Sequence, residues 1–114
     1  MLDTRAGQSA CFTPGAQMIG GATYLQAATG ACTNIPAAAL AVVGNATTVN
    51  ATANGFLTFW PSSALQPTVA TSNYQMGQVF NRHFTVGLGA DGAFKRFSSR
   101  TTDMVIDLSG YFAP

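Results

Sequence analysis

Short alternating runs of apolar and polar residues constrain this chain more than any other feature. Gly, Pro, Asn or Ser interrupts each run before a helical period can repeat. The runs predict strands at Ala22–Ala27, Leu40–Val49, Gly55–Trp60, Ser72–Tyr74, Val79–Leu88, Ala93–Phe97 and Met104–Leu108, with a short edge strand at Leu2–Thr4. The Ala37-Ala38-Ala39-Leu40 run is too short for a helix and leads straight into β-branched residues. Gly89-Ala90-Asp91-Gly92 predicts a tight hairpin, and Asn50–Gly55 a second one. Pro14, Pro36, Pro61 and Pro67 fall outside the strand interiors, as a hydrogen-bonded ladder requires. Alternation also assigns faces. Met104, Ile106 and Leu108 share one, and Phe80, Arg82, Phe84 and Val86 share another. Phe94 and Arg96 oppose Lys95 and Phe97, which predicts a strand covered on both sides. The pattern predicts an all-β fold, an antiparallel β-sandwich of seven or eight short strands, with a small closed barrel as runner-up.

Composition sets the scale and the setting. With 114 residues, 47% of them hydrophobic, the chain builds one core, so residues 1–114 form a single domain. Only 8% are charged, against about 25% in an average protein. The net charge of +1 creates no field to draw nucleic acid. No apolar run nears the roughly 20 residues of a membrane-spanning helix, so no membrane insertion is expected. A surface of Thr, Ser, Asn, Gln and Gly suits an extracellular wall or a packed assembly. The two cysteines, Cys11 and Cys32, form no CxxC and suit one disulfide in an oxidising compartment. Two free buried thiols are the rival. No signal peptide precedes the domain, since Met1 runs directly into Leu2-Asp3-Thr4-Arg5. A secreted domain would then correspond to a mature or excised fragment.

The ends carry a resemblance. Leu2-Asp3-Thr4-Arg5 opens the chain and Asp107-Leu108-Ser109-Gly110-Tyr111-Phe112 closes it. Between them lie Val42-Val43-Gly44-Asn45-Ala46-Thr47, Gly55-Phe56-Leu57-Thr58-Phe59-Trp60-Pro61 and Gly87-Leu88-Gly89-Ala90-Asp91-Gly92. This order resembles a repeat module of bacterial secreted and cell-surface proteins that runs from an LDTR-like start to a GYF-like end. The resemblance implies an extracellular accessory or structural role, in tandem copies or appended to wall-directed enzymes. The Cys11/Cys32 pair, His83, Phe80 and Phe84 depart from the commoner pattern.

Catalytic chemistry is poorly represented. His83 is the only histidine, and Ser72, Ser98, Ser99 and Ser109 lack a nucleophile-elbow context. Cys11, Cys32 and His83 lack the local pairing of zinc ligands. Asp3, Asp103 and Asp107 would supply too few oxygens for calcium without help. Asp103 and Asp107 lie ~13 Å apart along one strand, beyond the separations of about 5–9.5 Å that glycosidases use. Neither catalysis nor a cofactor is expected. Asn45-Ala46-Thr47 and Asn50-Ala51-Thr52 match glycosylation acceptors but read as ordinary strand and turn.

Two sets of residues remain. Arg5 and Arg82 are expected to pair with Asp103 or Asp107, because a buried unpaired guanidinium is costly. Tyr24, Trp60 and Tyr74 are the candidate ligand or partner contacts, and Phe56, Thr58 and Trp60 share one face against Leu57 and Phe59. The expected function is a non-catalytic extracellular structural or adhesive module at a bacterial cell surface. Homotypic copies in an oligomer or filament, or other surface components, would be its partners. A carbohydrate-binding accessory module, with a glycan as ligand, is the alternative.

Overall fold

A computed structural model describes residues 2–3, 17–68 and 70–114, with side chains from residue 17 onward. Eight strands follow one another: β1 (Leu2–Asp3), β2 (Thr23–Ala27), β3 (Ala41–Val49), β4 (Gly55–Pro61), β5 (Ser72–Tyr74), β6 (Phe80–Gly87), β7 (Ala93–Ser98) and β8 (Asp103–Phe112). They make two four-stranded sheets, ordered β1-β8-β3-β6 and β2-β7-β4-β5, with every pair antiparallel. No helix occurs among the described residues. Among the described residues each sheet keeps two edges, and they do not close into a barrel.

The alternation decides which side chains meet. Along β3, Val42, Ala46 and Thr48 are buried while Val43, Asn45 and Thr47 are only half-buried. Phe84 and Val86 from β6 and Met104 and Ile106 from β8 join Val42 and Ala46 in one layer. Leu57, Phe59, Tyr74 and Phe94 from the second sheet form the facing layer. Phe59 meets Phe84 edge-on at 4.9 Å between ring centroids, and Phe94 lies 5.6 Å from Phe59 and 6.2 Å from Phe84. Three strands from two sheets thus converge on one aromatic cluster.

Both expected hairpins are corrected. The turn at Gly89–Gly92 forms, with the Gly92 amide donating to the Gly89 carbonyl at 2.9 Å and Gly92 at φ +71. The strands it joins nevertheless lie in different sheets, because β6 pairs with β3 whereas β7 pairs with β2 and β4. Phe84 and Phe94 are both buried by facing each other across the core, which side-by-side pairing would prevent. Asn50–Gly55 likewise carries the chain from β3 in one sheet to β4 in the other, with Asn50 at φ 59 and Ala51 plugging the end of the core.

A bulge shapes the last strand. Gly44 faces Leu108 and Val43 faces Gly110, which leaves Ser109 as the inserted residue. Its hydroxyl donates to the Val43 carbonyl at 3.3 Å. A Cβ at Gly44 would run into the Asp107 carbonyl oxygen, so only glycine admits this approach. The bulge returns Tyr111 to the core-facing side, opposite Val42.

Candidate functional site

Two of the three aromatic residues expected to meet a ligand are buried. Tyr74 is buried in the core, with its hydroxyl 2.6 Å from the Ser98 hydroxyl, donating to the Arg100 carbonyl and accepting from the Arg100 amide, both at 3.2 Å. Trp60 lies opposite Lys95, on the face of the second sheet turned away from the core, yet is only 4% exposed. Thr58 on that face is also buried, whereas Phe56 and Leu25 on it are exposed. Neither Trp60 nor Tyr74 presents an open ring to a sugar. Tyr24 is half-buried; its hydroxyl accepts from the Ile19 amide at 3.0 Å.

Asp103 and Asp107, the carboxylates of the expected ion pairs, both lie on β8. β1 does lie beside β8, with Leu2 opposite Ile106 and Asp3 opposite Val105. Arg5 and Cys11 lie outside the described residues. Arg82 does not need the carboxylate expected for it. It faces Ala46, but β6 is an edge strand and the side chain is exposed to solvent. Asp103 is buried, and its Oδ2 accepts from Asn50 Nδ2 at 3.2 Å. Asp107 is exposed on β8. Cys32 sits half-buried in the turn after Gly30 and is not a free thiol.

His83 is exposed on β6 opposite Asn45. The Ser72, Ser98 and Ser109 hydroxyls bond to main-chain carbonyls or to Tyr74, and Ser99 Oγ accepts from the Phe56 amide. None of these bonds involves His83. Among the described residues no group of three His, Cys, Asp or Glu side chains is placed to hold a metal.

Two features emerge that the strand pattern did not single out. The first is Arg96, 4% exposed on the inner face of β7 between Tyr24 on β2 and Phe59 on β4. Its Nε donates to Gln26 Oε1 at 3.1 Å, and its guanidinium carbon stands 4.7 Å over the Tyr24 ring. Among the described residues its Nη1 has no hydrogen-bond partner. Burial pushes its pKa down to about 10, against a smaller upward pull from Tyr24. The shared face of Phe94 and Arg96 was the available signal.

The second is a recess of about 220 Å³ where the turn before β3 meets the end of β8. Ile35, Leu108 and Tyr111 supply apolar surface, and Thr33, Asn34, Ser109 and Gly110 complete its wall. Asn34 adopts φ 58, and the Asn34 amide donates to the Gly30 carbonyl at 2.9 Å, which holds the turn against the strand. Thr33 Oγ1 is engaged with the Ala28 carbonyl at 2.7 Å. Its surface is more polar than apolar, so an occupant would need polar contacts as well as apolar ones. The chain matches no family model, no curated protein and no solved structure.

Proposed function

We propose that this chain is a non-catalytic extracellular structural module that associates with copies of itself at a cell surface. The observation that carries the reading is the chemistry of the sandwich edges. Natural sheets blunt their edges with charged side chains, prolines or very short strands. Here β2 has none of these, being five residues long with no charge or proline, whereas β1 and β5 are very short and β6 carries Arg82. Exposed apolar side chains accompany these edges: Leu25 on β2, and Leu40, Tyr111 and Phe112 around the end of β8. An uncharged polar surface with few gatekeepers suits packing against further copies. The carbohydrate-binding alternative loses Trp60 and Tyr74, two of the three rings it rested on.

Size-exclusion chromatography with light scattering, followed by negative-stain imaging, tests the reading. The expected result is a defined oligomer or filament. A particle of one chain's mass, 11.8 kDa, at every concentration overturns self-association.

The Cys11–Cys32 disulfide belongs to the same extracellular reading, supported by Cys32 not being a free thiol. Closing that loop contributes about 3 kcal/mol by restricting the unfolded chain. A reductant is therefore expected to lower the urea midpoint. Two free thiols in the untreated protein, titrated under denaturing conditions, would rule the bond out.

A further inference from the structure

The recess between the turn before β3 and the end of β8 is walled by two short segments, residues 33–35 and 108–111, and its chemistry is selective. Its volume of about 220 Å³ is below the roughly 300–1,000 Å³ of sites for drug-sized ligands, so it takes one small ring rather than an extended molecule. None of the lining residues is charged. An ionised group brought into the recess would meet no counter-charge, and burying one unpaired is costly. A fitting occupant is therefore neutral. Hydroxyls and an amide stand beside the apolar bodies of Ile35, Leu108 and Tyr111, so that occupant is polar around its rim and apolar on a face.

The polar groups are held in place before any occupant arrives. Asn34 stands at φ 58, a conformation asparagine tolerates better than most residues, and its main-chain N–H is tied to the Gly30 carbonyl at 2.9 Å. Gly30 also bridges Ile35 across the same turn. The Asn34 side chain is exposed and makes no bond to another described residue, which leaves two donors and a carbonyl acceptor for an occupant. The Ser109 hydroxyl donates to the Val43 carbonyl at 3.3 Å, so its lone pairs remain to accept. The bulge at Ser109 turns Tyr111 to the core-facing side, where its ring walls the recess while 46% exposed. A pyranose combines the properties this wall selects. It carries no charge, its hydroxyls both donate and accept, and its C–H face packs on the electron-rich face of an aromatic ring.

We propose that the recess binds one neutral pyranose, with Tyr111 as the stacking ring and the Asn34 side chain and Ser109 hydroxyl as the polar contacts. This site uses none of Tyr24, Trp60 and Tyr74, the rings expected to meet a ligand, and it does not rest on self-association.

Saturation-transfer difference NMR tests this on single chains and assemblies alike. Glucose, galactose, mannose and N-acetylglucosamine are the probes, each up to about 10 mM, which reaches dissociation constants on the order of 1 mM. At least one is expected to bind, with its ring C–H protons receiving the strongest transfer. Equal affinity for its methyl glycoside marks a unit within a glycan, and loss of affinity marks a free reducing sugar; either supports the site. Tyr111→Ala is expected to weaken binding about tenfold, whereas Tyr111→Phe keeps the ring and most of the affinity. Asn34→Gly removes the amide but keeps a residue suited to φ 58, and is expected to weaken binding severalfold. Phe112→Ala, at a residue 56% exposed on the opposite face of the strand, is expected to leave it unchanged. Cyclohexanol, a ring of similar size with a single hydroxyl, is expected to bind about tenfold more weakly than the sugar. Failure of all four sugars to bind overturns the inference. Binding that survives both Tyr111→Ala and Asn34→Gly, or that cyclohexanol equals, overturns it too. Particle size is read separately, so each of these results leaves the self-association reading where it stood.

Discussion

Phe94→Ala is expected to destabilise the domain by about 3–5 kcal/mol. The Phe94 side chain is fully buried and is the ring that ties the second sheet to the aromatic cluster. Its removal deletes the transfer free energy of the ring and leaves a void that Phe59 and Phe84 fill only in part. It also breaks two ring contacts, each worth about 0.5–1.5 kcal/mol beyond their area. Phe59 and Phe84 keep their own 4.9 Å contact, so the sheets stay joined and the fold survives in weakened form. Urea unfolding reads the effect as a lower midpoint at unchanged slope. Leu65→Ala is the control, because Leu65 is 93% exposed and a surface truncation stays within about 0.5 kcal/mol. A Phe94→Ala loss no larger than that of Leu65→Ala would mean that the cluster does not hold the sheets together.

The strands were legible because alternation is a local property. Ser72–Tyr74 and Gly55–Trp60 can be read from their own residues, and the observed bounds differ from those expected by four residues at most, at the end of β8. Pairing is not local. Gly89–Gly92 specifies that the chain reverses, but whether β7 returns beside β6 or crosses the core depends on what Phe84 and Phe94 can bury against. Burial of the arginines shows the same limit. Arg82 and Arg96 each alternate with phenylalanines, so the sequence treats them alike. β6 is an edge strand, so Arg82 reaches solvent; β7 is central, so Arg96 does not. Trp60 and Tyr74 suit a core as well as a binding surface, and residue type cannot choose. The recess joins Ile35 to Leu108 and Tyr111 across more than seventy residues, a separation that no short-range signal spans.

The second large effect concerns Arg96, whose sign is opposite to that of an ordinary core residue. Arg96→Met is expected to be neutral or to stabilise the domain by up to about 4 kcal/mol, as replacement of buried ionic groups by apolar ones often does. The physical reason is the desolvation of a guanidinium that, among the described residues, has a hydrogen bond from Nε to Gln26 and no partner for Nη1. The lowered pKa expresses the same cost. The unfolded chain holds this proton more tightly than the folded one, so the charge opposes folding at neutral pH, by an amount on the order of 3 kcal/mol. As pH rises from about 10 toward the ordinary arginine value, that opposition fades and this group's contribution shifts in favour of the fold. The Tyr24 ring offsets part of the cost, by ~2 kcal/mol for a desolvated cation–π contact. Gln26→Leu runs the other way. It strips the guanidinium of its hydrogen bond and is expected to cost about 1.5–3 kcal/mol. In the double variant that loss disappears, because no charge remains to be left unpaired, and the two changes are strongly non-additive. A thermal or urea series on the four proteins separates the cases. If Arg96→Met destabilises by more than ~2 kcal/mol, beyond the whole of the lost cation–π contact, the guanidinium is a net stabiliser and its burial is not the liability argued for it.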